Sequence, residues 1–230
     1  MQTKYALWLN GNSLVWIDSA ISDSRAEDLL NVQLAAYLTA NKRYASSMQR
    51  ADWHKEYLRI QVGFGCMLAA QRYSQSLTKE GRFEPWTLLR ANLLGEVPSV
   101  LQPPLAECLN TFRACPDDTV QQVLWGECVR LPDSTGRSHA HIELRVILHD
   151  STVISTELCF STDVSLSPQW LWQSLEHTSV FSSQRFDGHY LTSDKQIDAI
   201  GAGLSRSIKS KQAQYRSAVR LCSDRGLEYV

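Results

Sequence analysis

The chain has 230 residues, 43% of them hydrophobic and 20% charged; 23 basic and 24 acidic side chains give a net charge of -1. A chain of this length buries a substantial core without disulfide or metal staples, and its composition excludes low-hydrophobicity disorder. The charge balance excludes whole-surface attraction to nucleic acid, so any electrostatic function must come from a local patch.

The chain opens on a hairpin signal. Apolar runs at 5–9 and 14–17 flank Asn10-Gly11, and Asn-Gly tolerates the positive φ that tight hairpin turns need. A helix should follow, capped by Asp23 or Ser24. Leu30, Leu34, Tyr37 and Leu38 recur there at helical spacing, and the pattern fades near 41–43. Residues 53–64 fit either a strand (Leu58, Ile60, Val62, Phe64) or a helix (Trp53, Tyr57, Ile60, Phe64). The helix is preferred, with 67–75 also helical. Pro85 suits the first turn of a helix through Leu94 that Gly95 stops, and Pro104 begins another that ends before Pro116.

The texture then changes. Residues 119–131, 139–148 and 152–160 are rich in Val, Ile, Thr and Leu and are separated by short polar connections. They predict a three-stranded antiparallel meander over about 119–160. Ser167-Pro168 opens a helix carrying Trp170, Leu171, Trp172 and Leu175. Since Trp170 and Trp172 cannot share a helix face, one should enter the core while the other marks a protein contact or, as is commoner, is a partly covered core residue. Ile197, Ile200, Leu204, Ile208, Tyr215 and Val219 form the stripe of a long C-terminal helix over 194–222. Helices and strands come in runs rather than in strict alternation, so the expected class is α+β. The chain is read as one domain over 1–230, with a weak subdivision near Pro116.

The meander carries the chemistry. With a turn at 149–151, Val146 faces Ile154, Leu144 faces Thr156 and Ile142 faces Leu158, which keeps apolar opposite apolar. The same register sets Glu143 opposite Glu157, with His139, His141 and Arg145 on that second face. Two opposed carboxylates push their pKa values apart, which suits general acid/base work, and Arg145 could neutralise one or orient an anion. His-x-His aims two imidazoles one way, and a nearby carboxylate would complete a metal set. The plain alternative is a solvated sheet face, since half-exposed antiparallel sheets alternate in this way.

The terminal helix carries the second signal. Arg206, Lys209, Arg216 and Arg220 fall near one line with no acidic residue between 205 and 221. That is a footprint for phosphates, nucleic acid or an acidic partner, or simply a solvated helix end.

Weaker matches carry less. The six cysteines (66, 108, 115, 128, 159, 222) form no C-x-x-C pair, which predicts reduced, mostly buried thiols in a reducing compartment. Gly63-Phe64-Gly65 lacks the third glycine of a dinucleotide loop, and the sequence around Ser138 precedes a strand where a nucleophile elbow needs a helix. His54, His177 and His189 stand alone. No segment approaches the ~18 apolar residues of a membrane span, and no signal peptide is evident.

The expectation is a cytoplasmic, non-catalytic binding or assembly protein with a protein partner, no membrane partner, and no cofactor or metal. The alternatives are a small enzyme or ligand-binding domain using His141, Glu143, Glu157 and Arg145, or a nucleic-acid-binding component using Arg206, Lys209, Arg216 and Arg220.

Overall fold

The computed structural model describes residues 5–44, 50–75, 81–114, 118–130, 132 and 134–219. The hairpin is present as β1 (Tyr5–Asn10) and β2 (Ser13–Asp18). Asn10 pairs with Ser13, so the loop is Gly11-Asn12, one position later than expected. Gly11 has φ +63 and Asn12 does not share it, the pattern of a hairpin turn with glycine at the first central position.

Helix α1 (Asp23–Arg43) is capped by Ser22, whose hydroxyl accepts from the Arg25 N–H, and it ends on Lys42 and Arg43, where the dipole favours cations. The ambiguous stretch is helix α2 (Arg50–Gly63), as preferred. Gly65 at φ +94 then turns the chain, and β3 (Cys66–Gln75) replaces the helix expected at 67–75. Cross-strand pairing along its length overrides the local helical pattern.

A short strand β4 (Arg82–Phe83) precedes α3 (Pro85–Glu96) and α4 (Gln102–Ala114), close to the expected spans. The first meander strand is not a strand. Residues 118–128 form helix α5 (Asp118–Cys128), leaving only β5 (Val129–Arg130) extended. Its β-branched residues suggested a strand, but Val120, Gln121, Leu124 and Cys128 bury one helical face.

Strands β6 (Ser138–Ile147) and β7 (Val153–Thr162) pair antiparallel, and the expected register holds at every position named: Val146–Ile154, Leu144–Thr156, Ile142–Leu158 and Glu143–Glu157. The helix expected after Pro168 is a single 3-10 turn at Trp170–Trp172, and Leu175 lies in β8 (Leu175–Glu176). Trp170 is buried and Trp172 packs against the same core half-covered.

The third long antiparallel strand is β9 (Val180–Thr192), which pairs with β7 on one side and β3 on the other. Helix α6 (Asp194–Tyr215) ends seven residues earlier than expected. The chain continues as β10 (Arg216–Val219) along β1, and 220–222 lie outside the described residues. Pro116, the proposed boundary, also lies outside them.

The described residues thus form six helices and a mixed eight-stranded sheet in the order β10-β1-β2-β6-β7-β9-β3, with β5 extending beside β6. The β2–β6 pair is parallel, which local patterns cannot reveal. Helices cover both faces. On one, α3, α4 and α5 bury Trp86, Leu93, Leu109, Phe112 and Leu124 against Trp16, Leu144 and Val146. On the other, α1, α2 and α6 bury Leu34, Tyr37, Trp53, Tyr57 and Ile197 against Val15, Ile17 and Val153. No helix among the described residues is long and apolar enough to cross a membrane.

Candidate functional site

The polar face of β6 and β7 is not solvated. It lies under α2, with His141, Glu143, Arg145 and Glu157 each no more than 5% exposed. Alternation along the strands was read correctly, but it marks a buried polar layer because a second helical layer covers the sheet. The covering helix matches it. Arg50, His54, Tyr57 and Gln61 follow one another at helical spacing, and each touches the cluster.

Two carboxylates organise two halves. Glu143 accepts from Arg145 (2.8 Å from Nη2, 3.2 Å from Nε), from the Tyr57 hydroxyl (2.8 Å) and from Ser13 Oγ (2.6 Å). Arg145 also donates to Gln61 Oε1 (2.9 Å) and to the Tyr57 oxygen (3.1 Å). Its guanidinium lies 5.5 Å from the centre of the Tyr190 ring. Burial opposes the charge on Arg145, but Glu143, Tyr57 and Tyr190 together outweigh it and hold the guanidinium above its ordinary range. Burial pushes the Tyr57 and Tyr190 hydroxyls upward.

Glu157 takes two imidazoles. His54 Nδ1 lies 2.8 Å from one carboxylate oxygen and His141 Nε2 lies 2.9 Å from the other. Burial alone would raise this carboxyl; His54 and His141 outweigh it and hold it well below the usual range. Burial, and then the Arg50 cation, lower His141 from its ordinary value. Arg50 Nη1 lies 3.0 Å from His141 Nδ1. A guanidinium only donates, so Nδ1 accepts, and the His141 proton sits on Nε2 facing Glu157. Trp53 meets the His141 ring edge-on at 4.5 Å, and Phe186 stacks on His54 at 3.9 Å. Cys159 Sγ lies 3.6 Å from Glu157 Oε1, and burial followed by Glu157 raises its thiol.

The structure therefore brings His141, Glu143, Arg145 and Glu157 together as expected. His139 is half-buried at the end of the same strand. The sequence reading missed His54, Tyr57, Gln61, Ser13 and Cys159. Two signals could have found several of them: the register that opposes Glu143 and Glu157 also opposes His141 and Cys159, and the 50-54-57-61 spacing aligns four polar groups on one helix face.

As it stands the layer is closed. Two shallow cavities, of about 260 and 400 Å³, are lined by other residues: Ser22, Arg25, Asp28 and Asp198 in one, Asp118, Gln122 and Gln169 in the other. Hydrogen-bonded and ion-paired groups in this setting hold α2 to the sheet.

The basic stripe is divided. Arg206 and Lys209 are exposed on α6. Arg216 lies beyond the helix, in β10, and donates to Asn10 Oδ1 and Asn31 Oδ1 (2.9 Å each). Burial lowers its pKa to about 10. Arg220 lies outside the described residues. Of the cysteines described, Cys66, Cys128 and Cys159 are buried and Cys108 half-buried, all unpaired; Cys115 and Cys222 lie outside.

No protein-family model matches the chain, and comparison with characterised proteins finds no similar sequence.

Proposed function

We propose that the chain is a binding and assembly protein that docks an extended segment of a partner protein along the outer edge of β3. The observation that carries this reading is the state of that strand. β3 is ten residues long and pairs with β9 on one side; among the described residues nothing pairs with its other side. Free edges offer a row of unpaired backbone donors and acceptors, and proteins ordinarily blunt them with Pro, Lys or short length. β3 has no Pro and no Lys; the charge of Arg72, paired with Glu96, and the irregularity between Leu68 and Ala70 are what interrupt it.

Apolar side chains are exposed along it beside the polar Gln71, Arg72 and Gln75. Met67 (52% exposed) and Tyr73 (53%) project from the strand, Leu191 pairs with Met67, and Val62 is exposed shortly before the strand, on α2. Strand addition draws affinity from the backbone and selectivity from such side chains.

The test is affinity recovery from native lysate, with nuclease present, by the wild-type chain and by Met67→Lys/Tyr73→Lys. Both positions are exposed, so the variant should keep its circular-dichroism spectrum. A stoichiometric partner recovered by the wild type and lost by the variant is expected. An empty, monomeric wild type, or a partner that the variant retains, overturns the reading. A dimer broken by the variant would put a second copy in the partner's place.

A further inference from the structure

One group of side chains in the polar layer goes beyond holding a helix in place. His141 on β6 stands directly opposite Cys159 on β7, and Glu157 lies two residues along on the same face. His141 Nε2 is 2.9 Å and Cys159 Sγ 3.6 Å from the same oxygen, Glu157 Oε1. All three potential ligand atoms lie within 4.8 Å of one another. Zinc bonds of about 2.0–2.3 Å in tetrahedral geometry place two ligands roughly 3.3–3.7 Å apart. The two contacts to Glu157 Oε1 are already near that spacing, and the widest separation in the set, within 4.8 Å, closes to it with a shift on the order of 1 Å shared among the side chains.

We propose that His141, Glu157 and Cys159 form a binding site for a thiophilic divalent metal of the zinc class, with His54 as the positioning residue that orients Glu157. Imidazole, carboxylate and thiolate are all zinc donors, and three protein ligands leave a fourth position open. Two come from facing positions of adjacent strands, so the backbone pre-sets their approach. His54 holds the remaining oxygen of Glu157 at 2.8 Å, as outer partners hold ligating carboxylates.

Arg50 is the competitor. Its guanidinium requires an unprotonated Nδ1 on His141, whereas a metal on Nε2 moves that proton to Nδ1. Metal binding and the Arg50–His141 hydrogen bond therefore exclude each other. Arg50 is half-exposed at the start of α2 and can swing outward. The proton count is simple: His141 stays neutral and only changes tautomer, while the Cys159 thiol gives its proton to solvent. One proton leaves per metal bound.

The test uses the full chain, chelator-treated, titrated with Co²⁺ and then with Zn²⁺. One cobalt per chain is expected, with tetrahedral d–d absorption and a sulfur-to-cobalt charge-transfer band, and zinc should displace it. Cys159→Ser should lose the band. Arg50→Ala should bind several-fold more tightly, an effect that a purely structural polar layer would not give. No stoichiometric cobalt uptake by the wild type overturns the site regardless of how any variant folds. A charge-transfer band that survives Cys159→Ser overturns the ligand assignment.

Discussion

Glu143 and Glu157 face each other across β6 and β7, yet they do not share a proton or a partner. Glu143 is matched by Arg145, Tyr57 and Ser13, and Glu157 by His54 and His141. Opposed like charges that would destabilise a bare strand pair are thus each answered from a different direction.

The partners of the Glu143–Arg145 ion pair should be mutually dependent. Both Glu143 and Arg145 are 2% exposed. Removing one partner leaves a buried charge alone, so Arg145→Met should cost about 3–5 kcal/mol of unfolding free energy. Glu143→Gln/Arg145→Met should recover part of that loss, because neither charge then remains. Denaturant unfolding of the two variants measures the difference. A single variant costing under about 1 kcal/mol would contradict a pair whose partners depend on each other.

Acid should weaken the fold in two steps. His141 is lowered from 6.5 when folded, so the unfolded chain takes up its proton first and stability falls as pH drops below that value. Glu157 is lowered from 4.5, so it adds a second loss of the same sign further down. Melting temperatures from about pH 8 to pH 2 should decline first below 6.5 and again below 4.5. In His141→Gln the upper decline should shrink, and the lower one should shrink as well without vanishing, because His54 still pairs with Glu157.

Gly11 should resist substitution. It sits at φ +63, and an added Cβ would stand 2.7 Å from Cδ1 of the buried Tyr37 ring. Strain of about 1–2 kcal/mol in the left-handed region adds to overpacking of about 1–3 kcal/mol. Gly11→Ala should therefore lower stability by about 2–5 kcal/mol in thermal or denaturant unfolding.

The basic residues should separate by their positions. Arg216→Ala takes the Arg216 donor from the Oδ1 of fully buried Asn10, while Asn31 Oδ1 keeps its bond from Gln212, and should cost about 1–3 kcal/mol. Arg206→Ala and Lys209→Ala are surface changes and should stay within about 0.5 kcal/mol. Thermal melts of the three single variants make the comparison.

Local signals carried far in some places. Alternation and a short turn were enough to set the β6–β7 register, and hence the opposed pair Glu143 and Glu157. Helical spacing was enough for α1 and the core of α6, whereas in α2 it competed with an equally regular strand pattern. They failed where tertiary pairing decides. Residues 67–75 are a strand because β9 lies beside them, and β9 itself hides behind polar Ser182, Ser183, Gln184 and Asp187. Residues 119–128 carry strand-like valines on a helical period. The burial of His141 and Arg145 depended on a helix nearly ninety residues away in sequence, which no window along β6 contains.

The parallel pairing of β2 with β6 joins Ser13 to Glu143, and β10 then closes on β1 through Leu7 and Val219. During synthesis the N-terminal hairpin leaves the ribosome long before either neighbour exists. Its pairings with β6 and β10 can form only after those strands are made. Sheets built from such distant segments have high contact order and close slowly. Through that interval the nascent chain is open to the wrong strand and dependent on whatever shields it.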